Sequence, residues 1–132
     1  MLGEKLGEAS GQITGVRVLP EGAIEISFQG RGMILSHDMT DAGTYVQTIL
    51  RPGVLRGEGR TIAMTTDGSM YVWEGFGVGK PVGPAPAAKF GVAGRFSKAT
   101  GDLERLMEVV NVIEFEVDAE RNYHWIAYEW TG

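Results

Sequence analysis

The sequence predicts an all-β fold, a single eight-stranded antiparallel up-and-down β-barrel with one short helical turn. Three observations lead there. Glycine supplies 20 of 132 residues, about twice the usual ~7%. These glycines are spread among β-branched and aromatic residues, which suits a turn-rich β domain and not collagen or disorder. Short segments of period-two alternation recur at regular spacing with turn signals between them, the pattern of a barrel or sandwich. Finally, Asp67-Gly68 lies between two apolar, β-rich runs, a strong hairpin signal because a type I′ turn needs positive φ at both central positions. Consecutive hairpins favour an up-and-down barrel, whose closure leaves no free sheet edge.

Residues 1 to 9 read as a polar N-terminal lead-in to a single domain spanning 1–132. Ser10 to Leu19 alternates and reads as a strand, and Pro20-Glu21-Gly22 as a turn. Ala23 to Ser36 is a long strand with Ile24, Ile26 and Phe28 on one face, and Gly30-Arg31-Gly32 marks a bend or bulge. His37 to Asp41 is polar and loop-like. Thr44 to Leu50 is β-rich, and Arg51-Pro52-Gly53 closes it. The hairpin Val54 to Gly79 follows. Lys80 to Pro86 holds three of the five prolines and reads as a loop. Ala87 to Lys98 is the next strand, and Asp102 to Met107 a short helical segment with Leu103, Leu106 and Met107 on one side. Val109 to Val117 is strongly β, Asp118 to Asn122 a turn, and Tyr123 to Trp130 a final aromatic strand.

With Asp67 and Gly68 as a two-residue loop, Thr66 pairs with Ser69, Met64 faces Tyr71 and Ile62 faces Trp73. Arg60 then faces Gly75, Glu58 faces Gly77, Gly59 faces Phe76 and Gly57 faces Val78. A large residue would sit across from a glycine in four pairs, and a slip of one residue would destroy that match.

Net charge is −5, and the basic residues are scattered, which argues against a nucleic-acid partner. Cysteine is absent, which excludes disulfides, thiolate zinc sites and cysteine nucleophiles. No apolar run approaches the ~18 residues of a spanning helix, and the N-terminus has no signal-peptide pattern. A soluble, cytoplasmic protein without membrane contact is expected. Gly75-Phe-Gly-Val-Gly79-Lys80 has the wrong spacing for a phosphate loop, and Pro81 follows the lysine. No Gly-x-Ser-x-Gly elbow occurs. His37 and His124 lack a paired ligand pattern, although His37 could join a distant carboxylate, so no metal and no cofactor is expected.

The stretch Gly91-Val-Ala-Gly94-Arg95-Phe96-Ser-Lys-Ala99-Thr100-Gly101, after the glycine-patterned strand with Gly75, Gly77 and Gly79, resembles the glycine–x–phenylalanine, alanine–x–glycine stretch of the allene oxide cyclase and dirigent-like barrels. The resemblance covers roughly Gly57 to Gly101. It implies an eight-stranded, calycin-like barrel, often trimeric, with an apolar ligand in its lumen. Allene oxide cyclases cyclise an unsaturated fatty-acid epoxide, and dirigent proteins steer radical coupling of phenols. The catalytic positions of neither family can be placed on this chain residue by residue.

The candidate site residues are Glu58, Arg60, Ile62, Met64, Tyr71 and Trp73 on one face of the hairpin, with Tyr45 as a further luminal group. If that face points inward, an apolar and aromatic wall borders a charged pair, the usual composition of a small-ligand site. Glu58 could then act as an acid or base. If it points outward, Glu58 and Arg60 form a surface ion pair, and Tyr71 and Trp73 an oligomer contact. Gln47, Arg95, Glu114, Glu116 and His124 are further luminal candidates. Tyr123, Trp125, Tyr128 and Trp130 place aromatics on both faces of the last strand, which suggests a core on one side and a homo-oligomer contact, dimer or trimer, on the other. Three function classes follow: a barrel binding a small apolar or aromatic ligand, a cofactor-independent isomerase or cyclase using Glu58, and a solid-core structural or interaction protein. The first is preferred.

Overall fold

Eight antiparallel strands close on themselves in the order in which the chain makes them. They are β1 (Leu2–Val18), β2 (Ile24–Ile34), β3 (His37–Arg51), β4 (Val54–Thr65), β5 (Met70–Pro81), β6 (Ala88–Ala99), β7 (Val110–Val117) and β8 (Asn122–Trp130). The computed structural model describes all 132 residues, Met1–Gly132. Each strand alternates between lumen and solvent, as a closed sheet requires. On β8, Tyr123, Trp125 and Ala127 are buried; on β5, Tyr71 and Trp73 are buried while Glu74, Phe76 and Val78 are exposed.

Two 3-10 segments interrupt the strands, Pro20–Gly22 and Gly101–Glu108. The second places Leu103 and Leu106, both fully buried, three residues apart and so on one side of a three-per-turn helix. It packs on β5 and β6 at the barrel end that also carries the β2–β3 and β4–β5 turns.

Three sequence expectations are corrected. The polar lead-in over residues 1 to 9 is instead the first half of β1, which closes the barrel by pairing with both β2 and β8. Its charged residues Glu4 and Lys5 point to solvent while Leu6 and Ala9 are buried, and bulges between Leu2 and Gly7 blur the alternation. His37 to Asp41 is strand, not loop. The β2–β3 connection is only Leu35-Ser36, both at positive φ, a two-residue turn without the glycine that usually announces one.

The third correction concerns the central hairpin. Its loop has three residues, Thr66 to Gly68. Thr65 N–H donates to the Ser69 carbonyl (2.8 Å) and Gly68 N–H to the Thr65 carbonyl (3.1 Å). The Asp67 carboxylate accepts from Ser69 N–H (3.1 Å) and from the Thr65 hydroxyl, so Asp67 braces the turn, and only Gly68, at φ 88°, takes positive φ. One extra loop residue shifts every pair by one. Met64 faces Met70, Ile62 faces Val72, Arg60 faces Glu74 and Glu58 faces Phe76, all on the outside. On the inside Ala63 faces Tyr71 and Thr61 faces Trp73, and glycine faces glycine at Gly59–Gly75 and Gly57–Gly77.

Candidate functional site

The paired glycines leave a stretch of luminal wall with no side chains. Large luminal residues lean over several glycines, one of the paired ones included: a Cβ at Gly75 or Gly94 would overlap the Trp73 indole, and one at Gly43 would overlap the Phe28 ring. At Gly57 a Cβ would fit, in van der Waals contact with the Phe90 ring at 3.4 Å. The result is a cavity of about 70 Å³, room for several waters.

Its lining is mainly apolar. Phe28, Tyr45, Phe90 and Phe115 form an aromatic cluster on it, with Tyr45 and Phe115 edge to face at 5.4 Å and Phe28 and Phe115 tilted at 5.8 Å. Trp73, Trp125, Phe96 and Ile113 complete the wall opposite and around the glycines. Polar groups are few. The Trp73 indole N–H donates to Asn111 Oδ1 at 3.0 Å, and Asn111 is fully buried. The Tyr45 hydroxyl, Gln47 Oε1 and Asn111 Nδ2 are buried without a partner in the protein, and all three are sealed from the cavity space. Burial alone drives the Tyr45 hydroxyl pKa far up, so it stays a neutral donor and acceptor.

A second polar cluster lies behind the wall. Asp41 is buried and accepts from the Tyr123 hydroxyl (2.8 Å) and the Trp125 indole N–H (3.1 Å). Desolvation raises its pKa, and the two hydrogen bonds partly oppose that. Through Trp125 it fixes one ring of the cavity wall. Burial, with the nearby Asp41 charge, pushes the Tyr71 and Tyr123 hydroxyl pKa values far up.

The hairpin residues separate into two groups. Tyr71 and Trp73 face the lumen with Tyr45 and line the cavity. Glu58, Ile62 and Met64 face solvent, and so does the side chain of Arg60, which borders the cavity only as the neighbour of Gly59 and Thr61. Glu58 is ion-paired with Arg56 rather than Arg60. The inward placement of the Glu58 face is therefore corrected, and its cause is the three-residue loop. Among the other luminal candidates, Gln47 is buried. Arg95 pairs outside with Glu74 at 2.7 Å, Glu114 and Glu116 are exposed, and His124 lies 3.3 Å from Glu8 on the outer face. His37 does meet a distant carboxylate, Asp102 at 3.7 Å, with Asp67 close by on the barrel end.

Asn111 and Asp41 were missed. For Asn111 a signal existed: it shares parity with Ile113, Phe115 and Val117, the apolar face of β7. Asp41 had none, because the chain around it is polar.

No protein-family model matches the chain, and no curated protein matches it. Solved structures do. A protein of unknown function from Clostridium acetobutylicum aligns with TM-score 0.79 at 14% identity, covering 97% of this chain and 98% of its own. A conserved protein of unknown function from Rhodopseudomonas palustris gives 0.77 at 18%, covering 98% and 97%. A β-barrel-like protein from Acinetobacter baumannii gives 0.78 at 16%, covering 98% and 94%. At these identities the likeness is one of fold. No helix is long and apolar enough to cross a membrane.

Proposed function

We propose that the barrel binds a small, mainly apolar ligand in its lumen. The observation that carries this reading is the mainly apolar cavity itself, walled by Phe28, Tyr45, Trp73, Phe90 and Phe115 beside the paired glycines. A mainly apolar lining with a few polar groups is the usual make-up of a small-molecule site, and at about 70 Å³, below the few hundred Å³ of drug-sized sites, this one sets a small ligand. Tyr45, Tyr71 and Trp73 are its ligand-facing residues in this reading. A packed-solid barrel is disfavoured by the cavity of about 70 Å³.

An isomerase or cyclase would need an acid or base at the ligand. Glu58 lies outside, paired with Arg56, and Asp41 is held behind the wall by Tyr123 and Trp125. Binding without turnover is therefore the reading the lumen favours. The Gly91–Gly101 stretch and the eight-stranded closure support placing the chain near the allene oxide cyclase-like and dirigent-like barrels as a proposal about ancestry. A homo-oligomer is also part of the proposal. On β8, Trp130 is half exposed outside while Trp125 is buried inside, so an outer aromatic is free for a subunit contact.

A thermal-shift panel of small apolar compounds tests the binding reading. At least one compound class should raise the melting temperature of the wild type and not of Gly57→Val, whose side chain fills the cavity. Equal shifts for both proteins, or none for either, would count against it.

A further inference from the structure

At the barrel end covered by the Gly101–Glu108 segment, three separate turns deliver one metal-ligating side chain each. His37 opens β3 directly after the tight Leu35-Ser36 turn, Asp67 sits in the β4–β5 loop, and Asp102 lies near the start of the 3-10 segment. Gly101 allows the close approach. It takes φ 58°, and a Cβ there would overlap the Ser69 hydroxyl, so the start of the segment lies against the β4–β5 loop. One donor atom from each of His37, Asp67 and Asp102 thereby lies within 4.8 Å of the other two. The histidine has no paired ligand pattern in the sequence; the fold supplies the pair from residues thirty and more positions away.

The electrostatics call for a cation. Two carboxylates this close repel each other, and neither is paired with a lysine or arginine: every other ion pair of the barrel involves different acids. Their neighbour is the His37 imidazole, with Nε2 3.7 Å from Asp102 Oδ2. Asp67 is also held in place. Its Oδ1 accepts from the Ser69 N–H and the Thr65 hydroxyl, which leaves Oδ2 free to ligate. Ligand atoms bound to zinc at about 2.0–2.2 Å stand roughly 3.4 Å apart in a tetrahedron. His37 and Asp102 are near that separation already. The remaining closure, on the order of 1 Å by the same geometry, needs only rotation of two exposed aspartate side chains. An imidazole nitrogen beside two carboxylates suits a borderline metal, whereas calcium and magnesium take oxygen donors throughout. Two carboxylates and a neutral imidazole also balance a divalent charge.

We propose that His37, Asp67 and Asp102 bind one divalent transition-metal ion of the zinc class at this barrel end, with water completing its coordination. The site lies outside the lumen and does not rest on luminal binding. The 3-10 segment packs on β5 and β6; the ion ties it in addition to β3 and to the β4–β5 loop. That segment inserts Leu103 and Leu106 into the core, so the ion secures the cover of this barrel end. Because all three ligands meet only in the folded chain, binding stabilises the native state.

The test titrates zinc chloride into tag-free, chelator-treated full chain by calorimetry, with magnesium and calcium chloride in parallel. One zinc should bind per chain, saturably and well below millimolar concentration, and raise the melting temperature. His37→Gln and Asp102→Asn should each weaken zinc binding by at least about 10-fold. His124→Gln, which removes the only other histidine, should leave it unchanged. Zinc should also shift the His37 imidazole signals in the wild-type NMR spectrum and not those of His124, a readout that needs no variant to fold. Zinc binding at millimolar concentration alone, an adventitious ion only, overturns the proposal. So does full affinity in His37→Gln and Asp102→Asn, a loss in His124→Gln in their place, or equal affinity for magnesium or calcium.

Discussion

The Tyr45 hydroxyl is buried with no protein group to meet it. Removing it should help the protein. Tyr45→Phe is expected to raise stability by about 1 kcal/mol in urea unfolding, because an unsatisfied buried hydroxyl is deleted. Asp41 makes the second residue-scale prediction. Its folded pKa is raised above the ordinary 3.8, so between those values the native state holds the extra proton. Its contribution to stability is full below about pH 4 and is lost as pH rises through the folded pKa. The lowered carboxylates Glu8, Asp67 and Asp118 give slopes of the opposite sign, so the variant must be compared with the wild type. The urea midpoint of wild type relative to Asp41→Asn should fall from about pH 4 to about pH 7. A flat difference would mean that Asp41 titrates normally. Tyr45, Tyr71 and Trp73 were legible as luminal candidates because bulky residues in alternating strands tend inward. Asp41 was illegible because a buried carboxylate is recognised by its partners, and those lie more than eighty residues downstream.

At the scale of the element, the β4–β5 hairpin shows how one loop residue decides chemistry. Its strands, its glycines and its turn were all readable. The loop length was not, because Asp67-Gly68 fits a two-residue type I′ turn as well as the last two positions of a three-residue loop. The difference is the pair of bonds from the Thr65 hydroxyl and the Ser69 N–H to Asp67, contacts that composition does not reveal. That single residue moved Glu58, Arg60, Ile62 and Met64 outside and brought four glycines together inside. Gly68→Ala should destabilise by about 1 kcal/mol, since φ at Gly68 is 88°. Gly57→Ala, where φ is ordinary and a Cβ has room, should leave stability equal or slightly higher. Denaturant midpoints of the two variants check the contrast, and equal losses would contradict the room for a Cβ at Gly57.

At the scale of the whole molecule, closure depends on the segment that looked least structured. Residues 2 to 9 bury Leu6 and Ala9 and bond β1 to both β2 and β8. Deleting residues 1 to 9 should open the barrel, with loss of near-ultraviolet dichroism and a tendency to aggregate through the freed edges of β2 and β8. A non-aggregating truncation with native dichroism would show the segment to be dispensable. The outside of the barrel carries Arg56, Glu58, Arg60, Glu74 and Arg95 along β4 to β6, unlike the apolar band of a lipid-facing barrel. Strand number, order and closure were legible from turn chemistry and alternation. The cavity was not, because it arises from register between strands rather than from any one of them.

Luminal binding is tested most directly by titrating acetophenone into wild type and Gly57→Val under identical conditions and reading tryptophan fluorescence. Saturable quenching or enhancement in the wild type that vanishes in the folded Gly57→Val variant is the predicted result. The same saturable signal in both proteins would place the compound outside the lumen and contradict it.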